Sequence, residues 1–164
     1  MSATTEHSTP LLIGVGNAMR SDDGVGIYVA RQIAAAQHDG RIVEASGEGA
    51  ALMEAWRGAD HVIIVDAVRS GATPGTIHRL DAAAGSLPSE FFNYSTHAFS
   101  VAEAVELARV LGGLPEHLLI VGIEGAQFDY GTSLTPAIQE AADTIIHELI
   151  DLLHPTTHAA NGRP

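Results

Sequence analysis

The tract GVGNAMRSDDGVG, Gly14 to Gly26, follows an apolar run and ends in two adjacent carboxylates, Asp22 and Asp23. Its glycines suggest a phosphate cradle, but a dinucleotide fingerprint needs a third glycine where Met19 stands, and no Gly-Lys-Ser/Thr follows. Two acids at a helix entrance repel phosphate and favour a cation. One of them is enough to cap the helix beginning near Gly24. Asp22 is therefore expected to cap or hydrogen-bond locally, and Asp23 to face a cleft.

Other candidates stand beside apolar runs. Asp66 ends Val62-Ile-Ile-Val-Asp66, where an unpaired buried carboxylate would be costly. It reads equally as a structural acid held by loop N–H groups and as a metal ligand or general base. His97 precedes a helix whose start is marked by Ser100 and Glu103, a capping-box pair; a histidine there often serves only as a solvated or capping group. Glu124 closes Leu118-Leu-Ile-Val-Gly-Ile-Glu124 and reads as a loop hydrogen-bonding acid. Glu44 imitates a ribose-binding acid, a role that fails with the fingerprint. His38, His117, His147, His154 and His158 are assigned to surface or tail. Asp23, Asp66 and His97 together make an O,O,N set with open positions, the pattern of a labile or reactive metal site. The tract H-E-x-x-H is absent, as is G-x-S-x-G, so neither a zincin nor a serine hydrolase is indicated.

These residues need a scaffold that brings strand ends together. Apolar runs suited to buried strands occur at Leu11 to Val15, Ile42 to Ala45, His61 to Ala67 and Leu118 to Ile123, with an alternating edge-strand pattern at Thr76 to Leu80. Helical spacing joins Val25, Val29 and Ile33, then Val101, Val105, Ala108 and Leu111. A last helix has Thr135 as cap, Pro136 in its first turn, and a stripe from Ile138 to Leu152 before Pro155 stops it. The expected fold is a three-layer α/β/α domain, a mostly parallel twisted sheet of about five strands flanked by helices. Ligands bind such sheets outside the carboxyl ends of the strands. Residues 10–154 form the expected single domain, with frayed, flexible ends at 1–9 and 155–164.

Eight basic residues against 20 acidic ones give a formal net charge of -12, which disfavours nucleic acid as a partner. Cysteine is absent, so thiolate metal sites and thiol nucleophiles are excluded and any metal must be held by oxygen and nitrogen. No secretory signal pattern and no membrane-span run is present, and the reading is a soluble cytoplasmic protein.

Three separated motifs, GVGNAMRSDDGVG, IIVDAV with its continuation SGATPGTIHRLD, and STHAFSVAEAVELA, resemble the hydrogenase maturation protease family, from about Leu11 to about Leu152. The resemblance implies a twisted sheet between helices and an endopeptidase that removes a C-terminal extension from the nickel-loaded large-subunit precursor of a nickel–iron hydrogenase. It assigns Asp23, Asp66 and His97 as catalytic residues and nickel ligands, with Ni2+ supplied by the substrate and no other cofactor. The expected partner is that precursor, with no nucleic acid and no membrane, and the expected state is a monomer or weak oligomer. The turn Ser46-Gly-Glu-Gly49 departs from the Asp-Gly-Gly-Thr-like text of many relatives, which bears on substrate preference. The phrase FFNYSTHAFSVAEA is similar to members serving bidirectional, NAD-linked hydrogenases. Two other classes remain open: a non-enzymatic nickel-sensing or chaperone module, and a nucleotide-binding regulatory domain.

Overall fold

The computed structural model describes residues 9–36, 40–88 and 100–153. Most of the phrase around His97, and the tails outside 9–153, therefore lie outside the described residues. The elements run β1 (Leu11–Val15), α1 (Val25–Ala35), β2 (Arg41–Ala45), α2 (Gly49–Trp56), β3 (His61–Val68), β4 (Ile77–Asp81), α3 (Val101–Leu111), β5 (His117–Glu124) and α4 (Pro136–Leu153). A short 3-10 turn, Ser21–Gly24, leads into α1. The five strands form one sheet in the order β2-β1-β3-β5-β4. The first four are parallel, and β4 runs antiparallel to β5 at one edge.

Strand burial follows position in the sheet. Central β1 is buried at every residue and β3 at most of them, whereas the edge strands β2 and β4 alternate toward solvent. One face packs Leu11, Ile13 and Ile64 against Leu52 and Trp56 of α2 and Val101 and Val105 of α3. The other packs Leu12, Ile63 and Val121 against Val25, Val29 and Ile33 of α1 and Ile138, Ile145 and Leu149 of α4. Each such aliphatic side chain contributes roughly 1.5–3 kcal/mol when buried. The three-layer expectation is met.

Two departures from the sequence reading concern single elements. Helix α2 has no counterpart in the expected elements; Glu48 caps it by accepting the N–H groups of Ala50 and Ala51 at 3.0 and 2.9 Å. Its eight residues show little periodicity, and glutamate is a less usual cap than serine, threonine or aspartate. Asp66 does not terminate its strand: it pairs with Gly122 inside β3, which continues through Ala67 and Val68. Ser100 and Glu103 do form the expected capping box of α3, with the Ser100 N–H donating to Glu103 at 2.7 Å.

The chain reverses its direction across the sheet between β1 and β3, because β2 lies on one side of β1 and β3 on the other. This switch point opens a crevice at the carboxyl ends of the two strands. Close packing of α1 sets its depth. A Cβ on Gly26 would lie 2.2 Å from the Val65 carbonyl oxygen and 2.4 Å from that of Val15. The helix-packing role of a third glycine is thus taken by Gly26, seven residues beyond Met19. Gly26→Ala should force α1 off the sheet and cost about 3 kcal/mol or more. Urea unfolding measures this, and an unchanged midpoint at unchanged slope would contradict the close approach.

Candidate active site

A cleft of about 650 Å³ occupies the switch-point crevice, lined by the loop after β1, the end of β3 and the start of α3. Asp23 and Asp66 both line it. Gly16 makes this possible: its backbone has φ +143°, and a Cβ there would stand 1.9 Å from the Asp23 carbonyl oxygen. Asn17 then shapes the loop. Its side-chain oxygen accepts the Met19 N–H at 2.9 Å, and its own N–H donates to Asp23 Oδ2 at 3.0 Å.

Asp22 takes a different role from its neighbour. Its carboxylate is wholly buried and accepts the N–H groups of Ala126 and Gln127 at 2.9 Å, and the N–H and hydroxyl of Thr135 at 2.8 and 2.9 Å. It does not cap α1, and its partners lie more than 100 residues away in the sequence, which corrects the local-bond expectation. Thr135 correspondingly directs its hydroxyl at Asp22. Further bonds close the same seam: Ser21 N–H to the Gly131 carbonyl at 2.8 Å, Gly131 N–H to that of Met19 at 2.9 Å, and Ser21 Oγ to that of Asp129 at 2.9 Å. Ser21 holds φ 51°, a left-handed conformation uncommon for serine, within this network.

Asp66 is half-buried on the cleft floor. Burial, and next the Asp23 carboxylate, hold its carboxyl well above the usual carboxylate range, with the Ala67 N–H acting in the opposite direction. Two acids that oppose each other's ionisation form a pair that shares a proton or welcomes a cation. Among the described residues no group of three metal-ligating side chains comes together. The third expected ligand, His97, lies outside those residues. The two carboxylates themselves suit a divalent ion through oxygen, with open positions left for substrate.

The remaining acids have structural partners. Glu124, buried at the end of β5, accepts the N–H groups of Ser70 and Gly71 at 2.8 and 2.9 Å and the Ser70 hydroxyl at 2.8 Å, the loop role expected of it. Glu44 binds Arg31 through two bonds of 2.8 and 2.9 Å, which holds its carboxyl below the usual range. Cleft residues that sequence reasoning missed are Arg20, Arg69 and Phe128. The Arg69 guanidinium carbon lies 4.2 Å from the centroid of the Phe128 ring. No motif announced this contact, because the two residues meet only across the fold.

The fold and site define an α/β protein with an acid pair at the switch point of its sheet. Comparison with known proteins narrows the class. The family model for hydrogenase maturation protease matches residues 27–152, and the chain belongs to that family; it is a protease, acting on peptide bonds. The hydrogenase expression/formation protein HupD of Thiocapsa roseopersicina is 30% identical over 152 residues, spanning 87% of this chain and 66% of that relative. The hydrogenase 2 maturation protease of Escherichia coli is 27% identical, over 87% of this chain and 89% of its own length. The solved structure of the E. coli hydrogenase maturating endopeptidase HybD shares the fold at a TM-score of 0.70 and 24% identity, covering 90% of this chain and 93% of that one.

The raised Asp66 pKa carries a sign. A carboxyl that holds its proton more tightly when folded costs stability once ionised, so stability falls as pH rises from the ordinary range, about 3.9, through the raised value. Asp66→Asn should therefore melt higher than the wild type at pH 7, by on the order of a few degrees, with the gap closing at acid pH. Thermal melts across pH check this. A variant less stable at pH 7 would contradict it.

Proposed function

We propose that the chain is the endopeptidase that removes a C-terminal extension from the nickel-loaded large-subunit precursor of a nickel–iron hydrogenase, with Asp23, Asp66 and His97 meeting the substrate's nickel. The observation that carries this reading is the acid pair of Asp23 and Asp66 in the switch-point cleft, in a chain of this protease family. An acid pair opposed to its own ionisation gains most from a divalent cation brought in with the substrate. On this reading the enzyme acts in the cytoplasm as a monomer or weak oligomer, and nickel arrives with the substrate rather than as a resident cofactor.

Substrate-borne Ni2+ supplies polarisation of the scissile carbonyl or acidification of a bound water. The chain's residues do the rest. Asp23, fixed by the Asn17 N–H at the lip of α1, and Asp66, fixed by the sheet, orient the segment to be cut across the cleft. Asp66 takes a proton from the attacking water as its oxygen bonds to the carbonyl carbon, and returns a proton to the leaving amine as the C–N bond breaks. A raised carboxyl pKa suits that exchange near neutral pH. The products are a new C-terminal carboxylate and a released peptide.

Incubation with a nickel-loaded large-subunit precursor, followed by mass spectrometry of that subunit, tests the proposal. The wild type should shorten the precursor, and Asp23→Asn, Asp66→Asn and His97→Ala should each slow this by about 100-fold or more while keeping a cooperative melt. An unchanged precursor mass with wild-type protein bound would point to a non-enzymatic assembly module instead. Wild-type rates in any two variants would overturn the residue assignment.

A further inference from the structure

Asn17, in the loop after β1, is held at three of its four polar groups. Its N–H donates to Asp23 Oδ2 at 3.0 Å, its carbonyl accepts the Arg20 N–H at 3.1 Å, and its side-chain oxygen accepts the Met19 N–H at 2.9 Å. The Met19 bond also fixes which way round the carboxamide lies, because the amide oxygen and not the NH2 group must face a donor. What remains is Nδ2, which has no hydrogen-bond partner among the described residues. Asn17 is exposed and lines the cleft that holds Asp23 and Asp66.

The loop that carries this amide is pressed against the turn that carries Asp23. A Cβ on Gly16 would meet the Asp23 carbonyl oxygen at 1.9 Å, and one on Gly24 would lie 3.3 Å from the Asn17 carbonyl oxygen. Peptide cleavage in this cleft meets an electrostatic difficulty that the acid pair cannot relieve. As the oxygen of water bonds to the carbonyl carbon, the C=O electron pair moves onto the carbonyl oxygen, and negative charge grows within reach of two carboxyl groups. A neutral donor stabilises that charge without neutralising either acid, so Asp66 keeps its capacity to exchange a proton. The carbonyl oxygen has two lone pairs, and such a donor can act together with polarisation by the substrate's own metal.

We propose that Asn17 is a further catalytic residue, whose carboxamide NH2 donates a hydrogen bond to the carbonyl oxygen of the scissile peptide and holds it more strongly as charge develops there. The inference rests on the endopeptidase reading above and deepens it. No proton leaves Asn17. The electron pair returns toward carbon as the C–N bond breaks, and the leaving amine takes its proton from Asp66. Because three bonds fix the donor before the substrate arrives, little reorganisation accompanies the reaction.

Cleavage kinetics on the nickel-loaded precursor test this, with the titration of Asp66 as a check on geometry. Asn17→Asp keeps an acceptor for the Met19 N–H and removes the NH2 donor, and Asn17→Ser keeps a shorter, neutral acceptor. Both should lower kcat by about 100-fold with KM within about twofold of the wild type, the scale and pattern of a lost oxyanion donor. In metal-free Asn17→Ser the NMR midpoint of Asp66 should stay at its wild-type value, because Asp23 keeps its place. Wild-type kcat in either variant would overturn the inference and leave Asn17 as a residue that only shapes the loop. A loss carried by KM alone would overturn it too. So would a fall in kcat accompanied by a shifted Asp66 midpoint in Asn17→Ser, which would assign the loss to displacement of Asp23. A wild type that leaves the precursor uncut refutes the endopeptidase reading, and this inference with it. A wild type that cuts beside variants that cut equally well refutes this inference alone.

Discussion

The cleft depends on one buried carboxylate. Asp22 accepts backbone and hydroxyl hydrogens from Ala126, Gln127 and Thr135, joining the turn before α1 to the segment before α4. Truncating it would leave three N–H donors without that acceptor, at a cost of about 3 kcal/mol or more. Because Asp22 is committed inward, the next residue along a tight 3-10 turn is committed outward, and that residue is Asp23. The same clamp carries Phe128 to the cleft, where Arg69 stacks on it. The bonds of Asp22 therefore hold both the turn that carries Asp23 and the loop that carries Phe128, while the sheet holds Asp66.

Charge around this anchor sets what the cleft can accept. The acid pair sits where two parallel strands diverge and where a helix entrance offers N–H groups, a place that in related topologies suits an anion. Here Asp22 and Asp23 fill the entrance with negative charge and reverse its preference.

Much of this was legible from residues alone, for reasons that differ by feature. Buried strands such as Leu11–Val15 are apolar throughout, and helices such as Val101–Leu111 show spacing and a capping box, so the layered fold could be read. Asp66 stood out because a carboxylate next to an all-apolar run demands an explanation. Asp23 stood out because two adjacent acids cannot both cap one helix. What could not be read is what depends on distant partners: Asp22 with residues 126–135, Arg69 with Phe128, Arg31 with Glu44. Gly26 was hidden differently. Its packing role is familiar, but it lies outside the spacing of the fingerprint in which that role is usually recognised.

Asp23 and Asp66 oppose each other's ionisation on the cleft floor. The carboxyl carbon shift of Asp66, followed by NMR against pH in the metal-free protein and in Asp23→Asn, measures it directly. The expected midpoint lies well above the ordinary aspartate range of about 3.9 in the wild type and lower in Asp23→Asn, where one of the two upward influences is gone. An ordinary midpoint, unmoved by the substitution, would contradict it.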